Sequence, residues 1–226
     1  MSSTLIGSIG WGISAIITFV LSVILIRAFL KEKNDTLKYF FCFLTSRFFL
    51  FSFLTLAPLV YILTRNATFA GIFFSLSYVF MFVSFIFPPL LFLSFQWKKF
   101  KKYYFGLVLA VSFLGILVTV SNFSPILADL YDIKGIVSQP TPNILSQLYV
   151  LSKIISVLPL SIIFFIFAVK NTGKIRLRSL LMGLGLLWVI TTIIIPSILP
   201  PLWGGIYCSV ADILIFIGVM IKPQEG

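Results

Sequence analysis

The sequence predicts an all-α membrane protein, a seven-transmembrane helix bundle with its N-terminus outside and its C-terminus in the cytoplasm. Three observations predict it. Hydrophobic residues fill 60% of the 226 positions and charged residues only 10%. A soluble surface carries about a quarter charged residues, so lipid is the expected cover. Seven apolar runs, at about 5–30, 37–63, 70–96, 104–123, 146–169, 180–199 and 203–221, each reach or approach the roughly 20 residues that cross ~30 Å of hydrocarbon. The basic residues collect on alternate connections between those runs, and that asymmetry sets orientation.

Run one lacks a basic leader region and a small-residue cleavage site, so it reads as a retained span, with the mature chain expected to begin near Met1. The connection after it carries Arg27, Lys31, Lys33 and Lys38 on itself and its flanks. Run two holds Arg47 and Pro58, and the turn that follows has only Arg65. Run three contains the Pro88-Pro89 pair, the strongest local break, and leads into Lys98, Lys99, Lys101 and Lys102. Run four is followed by the one sizeable outer connection, 124–145, with Asp129, Asp132, Lys134, Pro140 and Pro142. That segment is either an ordinary linker or a cover for the bundle mouth. Run five carries Lys153 and Pro159 and ends at a basic connection with Lys170, Lys174, Arg176 and Arg178. Run six contains Pro196, and run seven contains Asp212 and is followed by Lys222. Thirteen basic residues thus lie on one side and two on the other. Merging or dropping any run would put a basic cluster on the wrong side, so the expected domain is a single seven-span unit over 1–226.

Several function classes are excluded. The formal charge is +11, yet the cations sit at run ends and not on one groove-reading face, so no nucleic-acid partner is expected. They are topology determinants first and contacts to anionic membrane lipids second. There is no His, there are six acids, and no phosphate-cradling or metal-ligand motif occurs. No catalysis and no cofactor are therefore expected. Cys42 lies toward the inside and Cys208 toward the outside, which argues against a disulfide. Asn34, Asn66 and Asn122 begin glycosylation sequons, but the first faces inward, so all three read as chance.

Interior polarity marks the candidate site. Arg47, Lys153 and Asp212 fall well inside spans, where a charge costs at least about 2.5 kcal/mol and normally turns inward to a partner. At 1.5 Å per residue, Arg47 lies roughly 14 Å in from Lys38, and Asp212 roughly 14 Å in from Trp203 on the other side. Both reach the midplane, so Asp212 is expected to pair with Arg47. Lys153, about 10 Å below the outer surface, is the alternative or additional partner. Tyr149, Lys153 and Ser156 recur at i, i+4 and i+7 on one helix face, and Cys208 and Asp212 share another, flanked by Ser209. Such a set either lines a small pocket or supplies interhelical hydrogen bonds. Gly7, Ser8, Gly12, Gly183 and Gly185 are candidate points of close helix approach.

An N-out bundle of seven spans, with a basic fifth inner side running into Arg176-Leu-Arg178-Ser-Leu-Leu-Met-Gly183, resembles the seven-helix N-terminal sensor region of bacterial membrane histidine kinases. The resemblance implies a receptor that passes a signal across the membrane. In that family a kinase or other output domain follows the seventh span, whereas here only Lys222 to Gly226 follow, so a relative of this form is expected to act through a separate partner. Three readings stand from the sequence. One is a receptor or sensor bundle for a small or lipid-like ligand, with the basic inner loops as the docking face for a protein partner. Another is a small-solute transporter or channel. The third is a non-catalytic accessory subunit of a larger membrane complex.

Overall fold

The computed structural model describes residues 3–94, 98–121 and 143–222. Most of the connection expected at 124–145, with Asp129, Asp132, Lys134, Pro140 and Pro142, and the sequon at Asn122, lie outside the described residues. Every described element is a helix: α1 (Ser3–Glu32), α2 (Asp35–Thr64), α3 (Ala67–Ser84), α4 (Phe87–Ser94), α5 (Lys98–Ser121), α6 (Asn143–Lys170), α7 (Gly173–Thr191), α8 (Ile195–Ile198) and α9 (Pro201–Met220). Among the described residues six segments are long and apolar enough to cross a membrane: Ile6–Glu32, Asp35–Thr64, Thr68–Leu90, Tyr103–Ser121, Ile144–Lys170 and Leu202–Met220. Large apolar side chains such as Ile16, Leu63 and Val169 face outward, 67%, 82% and 86% exposed, while Ser14, Thr18, Ser156 and Asp212 are buried. An apolar outside around a polar inside is the distribution that lipid selects and water forbids. The chain is a multi-pass membrane protein.

Run six departs from its expected bounds. The helix begins at Gly173 and winds Lys174, Arg176 and Arg178 into its first two turns. Only Ser179–Thr191 remains as uninterrupted apolar helix, about 20 Å at 1.5 Å per residue, before the break that precedes α8. Run three is likewise divided, at Phe85–Ile86, into α3 and α4.

The tight connections share one local chemistry. Lys33 and Arg65 adopt left-handed backbone, at φ 49° and 54°, and their N–H groups reach back to Phe29 O at 2.7 Å and Tyr61 O at 2.8 Å. Each is followed by an Asn that opens the next helix. Asn34 accepts from Thr36 N at 2.8 Å and Asn66 accepts from Phe69 N at 3.0 Å, satisfying first-turn donors that hydrocarbon could not. The two sequon asparagines are thus helix caps.

The helices close a ring. α1 packs on α2, α2 on α3, α3 on α5, α5 on α6, α6 on α7, α7 on α9, and α9 back on α1, with α4 wedged against α2, α5 and α6. The closing helix fits because its backbone comes close to both neighbours. A Cβ on Gly205 would stand 2.4 Å from Gly10 C and 2.7 Å from Trp11 N in α1. One on Gly185 in α7 would stand 2.9 Å from Ile215 N. In lipid, such packing supplies the attraction that the hydrophobic effect supplies in water. Of the small residues expected at helix contacts, Gly185 serves in this way, whereas Gly12 has only ordinary contact room beside Thr55. Aromatic pairs knit α2 to α3, with Phe49–Phe80 at 4.9 Å and Phe53–Phe80 at 5.6 Å between ring centroids. Each is worth about 0.5–1.5 kcal/mol beyond its burial.

The bends have identifiable causes. Pro89 has no N–H for Phe85 O and Pro159 has none for Ile155 O, so each proline orphans the carbonyl four residues earlier. Hydroxyls from neighbouring helices take both. Ser156 Oγ donates to Phe85 O, and Tyr104 Oη donates to Ile155 O at 2.7 Å. At the α7–α8 break, Pro196 removes the donor that Thr192 O would receive. Ile193 and Ile194 tighten there to three-residue bonds onto Ile190 O and Thr191 O.

Tyr104→Phe is accordingly expected to lower stability by about 1–2 kcal/mol, because the carbonyl it leaves has no water to turn to. In a Pro159→Ala background, where residue 159 regains its N–H, the same substitution should cost much less. Thermal unfolding of the four proteins in mild detergent measures this, and an equal loss in both backgrounds would rule the explanation out.

Candidate functional site

Two charged centres occupy the interior. The first joins α2 to α9. Arg47, 3% exposed, and Asp212, wholly buried, form an ion pair with Nε and Oδ1 2.5 Å apart. Arg47 Nη2 also donates to Cys208 O at 3.3 Å, one turn earlier in α9. Its guanidinium lies over the rings of Phe43 and Phe51, at 5.6 and 4.9 Å from their centroids. Those contacts fit a group that is planar, weakly hydrated and always charged. The Nε–Oδ1 approach is a charge contact without the direction of a good hydrogen bond. Among the described residues neither carboxylate oxygen of Asp212 has a hydrogen-bond donor.

The second centre joins α6 to the α7–α8 break. Lys153, 2% exposed, donates through Nζ to Tyr149 Oη and to Thr192 Oγ1, the latter at 2.7 Å, and lies 4.2 Å from the Tyr149 ring centroid. Thr192 Oγ1 in turn donates to Val189 O at 2.6 Å. The expected alternative, Lys153 on Asp212, is not what forms. Two neutral hydroxyls hold the ammonium, and among the described residues no carboxylate pairs with it. Among the described residues the interior therefore holds Arg47 and Lys153 against Asp212. Cys208 lies within the field of all three charges.

The remaining candidates separate. Tyr149 belongs to the lysine centre. Ser156 turns away to the carbonyl freed by Pro89. Cys208 contributes its carbonyl to Arg47. Ser209 is buried with a hydroxyl that has no partner among the described residues, as is Ser152 beside Lys153. Ser77 and Ser84, two further buried hydroxyls in α3, bond back to carbonyls of their own helix.

Two features escaped the sequence reading. Thr192 is the first, and its signal was available, since a hydroxyl residue four before a proline in a span stands where the helix must open. The second is the buried stripe Ser14, Thr18 and Ser22 in α1, recurring at every fourth residue on the face toward its neighbours. Ser14 and Thr18 bond to carbonyls one turn earlier.

Comparison of the chain with protein-family models, with curated proteins and with solved structures yields no match. Function must therefore be argued from this interior alone.

Breaking one half of a buried pair leaves the other charge stranded, a loss of about 3–5 kcal/mol. Asp212→Leu alone should thus destabilise strongly, and Arg47→Met with Asp212→Leu should recover most of the deficit. A thermal double-mutant cycle in detergent reads the coupling, and purely additive losses would mean that the two side chains do not depend on each other.

Proposed function

We propose that this chain is a receptor or sensor-type bundle of the cell membrane, binding a small or lipid-like ligand in its interior and acting through a protein partner. The observation that carries the proposal is the attachment of Lys153, a buried basic group whose partners among the described residues are neutral, to Thr192 at the α7–α8 break. A ligand that engages the ammonium competes with Thr192 and shifts the balance of a helix that is already interrupted. A signal of this kind requires only that the ligand prefer one arrangement of the break over the other. The far end of the same helix carries Lys174 and Arg176, both exposed, with Arg178 next to them, a surface suited to an acidic partner. The resemblance carried by Arg176 to Gly183 supports the same reading.

The topology that goes with it has seven crossings, N-terminus outside and C-terminus cytoplasmic, with α7 and α8 together as the sixth. The distribution of basic residues supports it. Single cysteines placed at the exposed positions Thr68 and Pro200 should react with an impermeant maleimide on intact cells, while one at Thr172 should react only after lysis. A silent Pro200→Cys would remove one crossing.

Native purification with mass spectrometry should release a small molecule, and a fluorophore on Thr172→Cys should change its emission on ligand addition, except when Thr192 is replaced by Val. A fixed protein companion without any ligand would instead mark an accessory subunit. The Arg47–Asp212 pair taken alone favours a transporter or channel, and flux in proteoliposomes abolished by Asp212→Ala would establish that alternative.

A further inference from the structure

Among the described residues the interior carries two basic side chains and one acidic one, and that imbalance suggests the class of ligand. Arg47 is matched by Asp212, whereas Lys153 is matched by nothing charged among the described residues. An ammonium has three N–H groups. Tyr149 and Thr192 take two of them, and the third has no acceptor among the described residues. The group lies ten residues into α6, about 15 Å from the start of that helix at 1.5 Å per residue. Lipid is close at hand. Leu151 and Ile154, on either side of Lys153 in sequence, are 43% and 39% exposed on the outer wall of the bundle. The outer wall of α6 is thus apolar and would suit the tail of an amphiphile whose head engaged Lys153.

We propose that Lys153, with Tyr149 and Thr192, forms a receiving site for a singly charged anion, the carboxylate head of an amphiphile that enters from the lipid. One negative charge brings the three interior groups to a balance of two cations and two anions. A dianionic phosphate would overshoot by one charge, and a zwitterion or neutral head would leave the deficit in place. The carboxylate accepts the third Lys153 N–H and competes with the neutral hydroxyls for the other two, since a charge-assisted bond is roughly twice as strong as a neutral one. Displacement of Thr192 is then the event that reaches the α7–α8 break. This inference rests on the receptor reading and adds to it the charge and chemistry of the head group.

The test uses the full chain, stripped of lipid, in a neutral maltoside detergent, with laurate labelled with 13C at its carboxyl carbon as the probe and lauryl alcohol and sodium chloride as comparators. Laurate should give a saturable shift of its carboxyl resonance and raise the unfolding temperature, and lauryl alcohol should do neither. Lys153→Met, apolar and of similar length, should fold and weaken laurate binding by at least roughly tenfold, or about 1.4 kcal/mol. Lys153→Arg should retain it. Displacement of laurate by millimolar chloride would show that the site takes any small monoanion and would overturn its assignment to an amphiphile. Should Lys153→Met fail to fold, the 15N resonance of Lys153 Nζ in the unaltered protein decides, since it must move with laurate and stay still with the alcohol. Equal binding of alcohol and laurate, or undiminished binding in Lys153→Met, overturns the charge inference and leaves the receptor reading in place. No interaction with laurate, alcohol or chloride, and no ligand on native purification, overturns both.

Discussion

The ion pair between Arg47 and Asp212 is the constraint from which the arrangement of this bundle follows. Neither group can reach water from its depth, and each leaves the other stranded if the helices part. The pair therefore sets the rotation of α2 and α9 about their axes, because only one face of each helix carries the charge. With α9 so turned, its glycines fall where neighbouring backbones must come close, Gly205 against α1 and Gly218 against the backbone of Met182 and Arg178 in α7. The ring then closes without a gap on that side. Apolar burial alone could not choose this rotation, since lipid tails are as good a solvent for Leu or Phe as a neighbouring helix is.

A second layer of order comes from the prolines. A proline in a span frees a carbonyl that hydrocarbon cannot satisfy, and at Pro89 and Pro159 a hydroxyl on a different helix answers it. Tyr104 in α5 answers Pro159 in α6, and Ser156 in α6 answers Pro89 in α4. These bonds tie together the half of the ring that has no interior ion pair. One half is thus positioned by charge and the other by hydroxyls on orphaned carbonyls, and Lys153 sits where the two systems meet.

Much of this was legible in the sequence because the membrane turns sequence into depth. Counting from Lys38 and Trp203 puts Arg47 and Asp212 at one level, and in the structure they meet. The break at Pro88-Pro89 was legible for a similarly local reason. Run six was not, because hydropathy sees Lys174, Arg176 and Arg178 as loop residues, whereas their long side chains project from an exposed helical turn without disturbing its backbone. The partner of Lys153 was not legible either. Reading charge against charge pointed to Asp212, while Thr192 becomes available only because Pro196 opens the helix beside it, a coupling between distant positions that no periodicity displays. The stripe in α1 was hidden by its own plainness, since isolated Ser and Thr look unremarkable among apolar neighbours.

The contrast between the two interior cations says the most about what the bundle is built for. Arg47 faces an opposite charge as well as neutral groups: a carboxylate, a carbonyl and two aromatic rings. Lys153 has a single ring and two hydroxyls. A fold that needed only a filled interior would be served at least as well there by an apolar residue, because exchanging buried charge for packed hydrocarbon is often neutral or stabilising. A cation retained with neutral partners, one of them on an interrupted helix, keeps open an interaction that a stronger acceptor can take over. Arg47 ties α2 to α9, and under the proposed receptor reading Lys153 is the group whose neutral partners a ligand would replace.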